Sequence, residues 1–106
     1  MTALITELST KLRDRNLKLA TAESCTGGLI AAALTDLAGS SDIFDRGFVT
    51  YSNDAKIDML GVSRETITSF GAVSAETADE MVSGALANSL ANIAVSVTGI
   101  AGPSGG

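Results

Sequence analysis

Leu17-Lys-Leu-Ala-Thr-Ala-Glu-Ser-Cys-Thr-Gly-Gly28 is the stretch whose reading decides the fold. Leu17 to Ala22 is a short, mostly apolar run and reads as a buried strand that empties into a Thr-Ala-Glu-Ser turn. Thr26 to Leu37 then reads as a helix, apolar over most of its surface and stopped by Gly39. A helix that apolar is expected to be buried on more than one side. Strand, turn and helix in this order make one βα unit, with a helix before it and further strands and helices after it.

Upstream, Leu4, Ile5, Leu8 and Leu12 recur at helical spacing, with Lys11, Arg13 and Arg15 near the C-terminal end of that helix. Downstream, Phe44 to Tyr51 reads as a second strand with Phe48 and Thr50 on one face and Val49 and Tyr51 on the other. Asn53 is placed to cap a short helix from Asp54 to Leu60, closed by Gly61. Ser63 fits the start of another short helix, and Ser74 that of a longer one, about Ala75 to Leu90, with Glu76 in its first turn. Ile93 to Thr98 is a third strand, followed by Gly99-Ile-Ala-Gly-Pro-Ser-Gly-Gly106. Strands separated by helices predict an α/β fold, a mainly parallel sheet covered by helices on both faces. In such sheets ligands bind beyond the C-terminal ends of the strands. Residues 21–28, 50–56 and 98–106 therefore converge as the candidate site.

At 106 residues the chain reads as a single domain, 1–106, able to bury one core without staples. A glycine-rich loop after a buried strand normally leads into another element, so the domain is expected to continue past Gly106. The composition, 45% hydrophobic and 18% charged, is that of a globular domain. Three phenylalanines and one tyrosine leave the core to Ala, Leu, Ile and Val. A net charge of −5 argues against a nucleic-acid surface. No leader, lipidation motif or apolar run of membrane-spanning length is apparent, which predicts a cytoplasmic protein without membrane contact. Cys25 is the single cysteine and histidine is absent, which excludes an internal disulfide, the usual zinc sites, and Ser–His–Asp or Cys–His catalysis within one chain.

Ser24 sits in a strand-to-helix turn. It is a candidate nucleophile, with the N–H groups of Thr26 to Gly28 as candidate oxyanion donors; on local pattern alone the stronger reading is that Ser24 or Thr26 simply caps the helix. Lacking histidine, a serine nucleophile needs another base, and lysine is the usual one. Lys56 is the candidate, in the first turn of the Asn53 helix, where the dipole and burial both disfavour the ammonium form while Asp54 favours it. Most lysines are only solvated surface charges. Tyr51, five residues earlier, offers a hydroxyl to orient Ser24 or relay a proton, or is a structural tyrosine. Cys25 reads as a packing residue. The acidic residues lack metal-ligand spacing.

Thr21-Ala-Glu-Ser-Cys-Thr-Gly-Gly28, Gly47-Phe-Val-Thr-Tyr-Ser-Asn-Asp-Ala-Lys56, Gly71-Ala-Val-Ser74 and Val97-Thr-Gly-Ile-Ala-Gly-Pro-Ser-Gly-Gly106, in this order, closely resemble the CinA C-terminal-domain family. That family includes nicotinamide-mononucleotide deamidases of the PncC type. The resemblance implies an α/β/α sandwich and an amidohydrolase that converts nicotinamide mononucleotide to nicotinic acid mononucleotide and ammonia. It carries Ser24 over as nucleophile and Tyr51 and Lys56 as its activating partners. Thr26, Gly27, Gly28, Asn53, Gly102, Ser104 and Gly105 are expected to contact the nucleotide. No metal or organic cofactor is implied, and a homo-oligomer covering the sheet edge is expected. A non-catalytic nucleotide-binding or regulatory module of the same fold is the alternative.

Overall fold

A computed structural model describes residues 2–100, so Gly102, Ser104 and Gly105 lie outside the described residues. Three parallel strands make one sheet: β1 (Leu19–Glu23) in the centre, β2 (Phe44–Val49) on one side and β3 (Ile93–Val97) on the other. Helix α1 (Thr2–Asp14) precedes β1, and α2 (Leu29–Thr35) connects β1 to β2 through a 3-10 turn at Ser40–Asp42. Helices α3 (Asn53–Leu60), α4 (Arg64–Phe70) and α5 (Ala75–Ala87) lie between β2 and β3.

The central strand explains the layering. All five residues of β1 are buried, and alternate side chains serve opposite faces. Leu19 joins Ile5, Leu12, Leu34 and Ile43 in a core beneath α1 and α2. Ala22 joins Leu60, Val62, Met81 and Ala85 in a second core beneath α3 and α5. Helices thus cover both faces of a parallel sheet, the predicted α/β/α sandwich. Small residues set its thickness. A Cβ on Gly84 would stand 1.9 Å from the Leu60 carbonyl oxygen, so α5 meets the end of α3 backbone to backbone.

The ladder also levels the strand ends. Glu23 pairs with Val49 and Val97, and the ladder runs one step further as Thr50 N–H donates to Glu23 O and Ser24 N–H to Val97 O. Residues just past these three ends are consequently neighbours, although they come from distant parts of the sequence.

Several boundaries differ from the sequence expectation. Helix α2 starts at Leu29, not Thr26, because Gly27 (φ +59°) and Gly28 (φ +106°) take the left-handed conformation and cannot continue a helix backwards. It is not buried on several sides: Leu34 is buried but Leu29 is 72% exposed. Leu4 and Leu8 of α1 are exposed too, and with Leu29 and Val95 they line an apolar trough of about 370 Å³. Ser52, not Asn53, caps α3, its Oγ accepting from Ala55 N–H. Helix α5 ends at Ala87 because both Asn88 N–H and its side-chain amide turn back to Gly84 O. No helix among the described residues is long and apolar enough to cross a membrane.

Candidate active site

Beyond the strand ends lies a cleft of about 280 Å³, lined by Ser24, Cys25, Tyr51, Asn53, Lys56, Ala72, Val73, Thr98, Gly99 and Ile100. This volume sits at the lower edge of the roughly 300–1,000 Å³ usual for small-molecule sites.

Strand parity aims the first of these residues. Ala22 points to the α3–α5 face, and Ser24, two residues on, continues that direction. Helix α3 supplies the partner. Ser52 sets its start, and one turn later Lys56 runs inward until it is 1% exposed. Lys56 Nζ stands 2.9 Å from Ser24 Oγ, 3.0 Å from Thr50 O and 3.3 Å from Tyr51 O. Burial pulls the Lys56 amine below the usual lysine range, and the neighbouring Cys25 thiol, when ionised, opposes that shift. Asp54 does not hold it charged: the Asp54 side chain is 85% exposed and lies 3.9 Å from Arg64.

The arrangement suits a neutral amine. Two N–H bonds reach the carbonyls of Thr50 and Tyr51, which leaves the lone pair for the Ser24 hydroxyl proton. As an ammonium the group donates to Thr50 O, Tyr51 O and Ser24 Oγ, with the Ser24 hydroxyl turned to Tyr51 O, so it changes charge without moving.

Tyr51 meets this pair through its backbone. Its carbonyl oxygen lies 3.5 Å from Ser24 Oγ and accepts from Lys56 Nζ. Tyr51 is 67% exposed and lines the cleft. Asn53, the first residue of α3, lines it as well.

The turn between β1 and α2 departs from expectation. Neither Ser24 nor Thr26 caps α2. Glu23 does: its carboxylate accepts from Thr26 Oγ1 at 2.6 Å, Gly28 N–H at 3.2 Å, Ile30 N–H at 3.0 Å and Ala31 N–H at 3.0 Å. Burial alone would raise the Glu23 pKa, but these four hydrogen bonds together hold its carboxyl below the usual carboxylate range. Two of the expected oxyanion donors are therefore occupied: Gly28 N–H by Glu23, and Gly27 N–H by Ser24 O. Among the described residues the N–H groups of Cys25 and Thr26 have no partner. Sequence reading missed Glu23 because it placed the residue in the turn. Counting parity from the buried alanines would have put it under α2, opposite Ser24.

The far wall comes from the link between α4 and α5. Ala72 and Val73 line the cleft, and Ala72 O accepts from Thr98 Oγ1 at 2.7 Å, which ties that link to the end of β3. A shallower hollow of about 440 Å³ continues past Val73 and Thr98 along Ser74, Ala78 and Ser96. Among the described residues no group of His, Cys, Asp and Glu is placed to hold a metal ion.

Over residues 1–106 the sequence matches the family described as CinA C-terminal domain. It is 55% identical over 103 residues to the nicotinamide-nucleotide amidohydrolase PncC of Enterobacter agglomerans, covering 97% of this chain and 63% of that protein. It is 61% identical over 95 residues to a CinA-like protein of Chloroherpeton thalassium, covering 90% of this chain and 23% of that protein. The crystal structure of the competence/damage inducible protein CihA from Agrobacterium tumefaciens is similar with a TM-score of 0.96 at 62% identity, over 99% of this chain and 64% of that one. The chain thus spans less than two thirds of the length of each of these relatives.

Proposed function

The chain belongs to the CinA C-terminal domain family, and from that premise we propose that it hydrolyses the carboxamide of nicotinamide mononucleotide, with Ser24 as nucleophile and Lys56 as its base. The products are nicotinic acid mononucleotide and ammonia. The observation that carries this reading is the buried Lys56 Nζ at 2.9 Å from Ser24 Oγ, in a cleft at the C-terminal end of the sheet.

Neutral Lys56 takes the Ser24 proton as Oγ attacks the carboxamide carbon, and a tetrahedral oxyanion forms. The Cys25 and Thr26 N–H groups are the free donors nearest to Ser24 in sequence and the candidates to hold that oxygen. Lysine, now an ammonium, returns the proton to the departing nitrogen, ammonia leaves, and an ester remains on Ser24. Water, deprotonated by the same amine, then cleaves the ester. Tyr51 contributes its carbonyl as a fixed acceptor that orients the amine, and its exposed ring forms part of the wall for the pyridine. Asn53 lies at the same wall. Thr26 Oγ1 and the N–H groups of Gly27 and Gly28 are engaged within the turn, so they shape the site without free polar groups for substrate. Gly102, Ser104 and Gly105, which lie outside the described residues, are proposed as further contacts for the nucleotide.

The reading is tested by incubating the protein with nicotinamide mononucleotide and measuring ammonia. Turnover is expected, and Ser24→Ala is expected to abolish it; a fully active alanine variant would remove Ser24 as nucleophile. A non-catalytic nucleotide-binding module would bind without releasing ammonia. One motive for that alternative, a lysine kept charged by Asp54, is weakened by Asp54 lying beside Arg64.

A further inference from the structure

Glu23 is a buried ionisable group that the hydrolysis scheme leaves without a task. It is also the residue immediately before the nucleophile, on the opposite face of the same strand. We infer that Glu23 is a positioning residue for Ser24: its carboxylate clamps the Ser24–Gly28 turn to α2, fixing Ser24 Oγ against Lys56 and keeping the Cys25 and Thr26 N–H groups turned free. The inference rests on the hydrolytic reading given above.

The hydrogen-bond inventory of the turn carries the argument. Its start is held by Ser24 N–H on Val97 O. Within the turn, Gly27 N–H closes on Ser24 O and Leu29 N–H on Thr26 O, bonds that move with it, and Ala32 N–H joins Gly28 O to the first turn of α2. The remaining bonds from Thr26, Gly28, Ile30 and Ala31 all end on one carboxylate. Two consecutive left-handed glycines give this turn little stiffness of its own. Without Glu23, the N–H groups of Gly28, Ile30 and Ala31 would seek other acceptors, and Thr26 would lose the bond that sets its orientation. The Ser24 backbone would then be anchored to the sheet through its N–H alone, leaving its Oγ contacts with Lys56 and Tyr51 without a rigid support behind them. The charge matters as well as the shape, because the acceptor faces three N–H donors and one O–H donor at the positive end of a helix. A glutamine of equal volume would keep one acceptor oxygen and set an NH₂ donor against those donors.

The test compares Glu23→Gln and Glu23→Asp with wild type in nicotinamide mononucleotide hydrolysis, after cooperative thermal unfolding has shown that each variant is folded. A nucleophile displaced by about 1 Å loses on the order of 10²-fold in rate. Glu23→Gln is therefore expected to lose about that much in kcat while KM changes by less than about threefold, and Glu23→Asp, which keeps the charge, to recover part of it. A folded Glu23→Gln with kcat within about threefold of wild type, or with its loss confined to KM, overturns the inference. If Glu23→Gln does not fold, Thr26→Val removes a single bond to the carboxylate and is read by the same split; an unchanged kcat there overturns it. Wild-type protein that releases no ammonia refutes the hydrolytic reading alone. The positioning role is then read from the rate at which a fluorophosphonate labels Ser24, expected to be at least about tenfold slower in Glu23→Gln, with equal rates overturning it.

Discussion

Replacing Gly84 by alanine sets two calculable effects against each other. In an exposed helix the change stabilises by about 0.8–1.0 kcal/mol, since glycine is a poor helix former. Here the new Cβ would stand 1.9 Å from Leu60 O, 2.7 Å from Leu60 C and 2.9 Å from Leu60 Cα. A carbon–oxygen contact needs about 3.3 Å, so α3 and α5 must part by about 1.4 Å at this point. All three atoms are backbone, and no rotamer change relieves them. Overpacking of this kind costs about 1–3 kcal/mol, and more when backbone must move. Leu60, Val62, Met81 and Ala85 share the contact and would be drawn apart with it. The steric cost outweighs the propensity gain, for a net loss of about 2 kcal/mol. At about 4–8 °C per kcal/mol for a domain near this size, Tm should fall by about 8–16 °C. The damage should also reach the site, because α3 carries Lys56 one turn before Leu60. Thermal unfolding followed by circular dichroism measures the first effect; ammonia release at a temperature where both proteins are folded measures the second. A Gly84→Ala protein as stable as wild type would refute the close approach of α3 and α5.

Three further outcomes follow from the charged groups. The proposed hydrolysis needs a neutral Lys56, so kcat/KM should rise with pH to a plateau, with an apparent pKa below the ordinary lysine value; Lys56→Met should remove that limb and roughly 10²–10⁴-fold of the rate. The same depressed pKa opposes folding at neutral pH. The unfolded chain binds the proton more tightly there, so the Lys56 contribution to stability should improve as pH rises from the folded pKa toward the unfolded one, and the wild-type minus Lys56→Met difference in denaturant midpoint should show that slope. Glu23 has the opposite sign: its lowered folded pKa gives stability present above the unfolded carboxylate value and lost as pH falls through the folded one. Acid unfolding of Glu23→Gln should accordingly depend less on pH between about 5 and 2 than that of wild type, and parallel curves would exclude the carboxylate cap.

Local pattern was enough for much of this protein. Hydrophobic runs and capping residues marked three strands and five helices, and an alternating order of strand and helix implied parallel pairing and the α/β/α layers. The absence of histidine pointed from Ser24 to Lys56, because a serine nucleophile requires some base and few candidates lay near a strand end. The strand, helix and layer assignments succeed because they rest on neighbours in the chain. The rest depended on which distant groups meet. Ser24 and Lys56 are 32 residues apart, and only the level ends of β1 and β2 and the inward run of the Ser52-capped helix bring them to 2.9 Å. Tyr51 was read through its hydroxyl, whereas the sheet register presents its carbonyl to the pair. Leu4, Leu8 and Leu29 carry the pattern of buried residues, and whether they are covered is decided by what lies across from them. Glu23 shows the boundary best. One residue's difference in where β1 ends moved it from an open turn to the underside of α2, since side chains along a strand change face at every step.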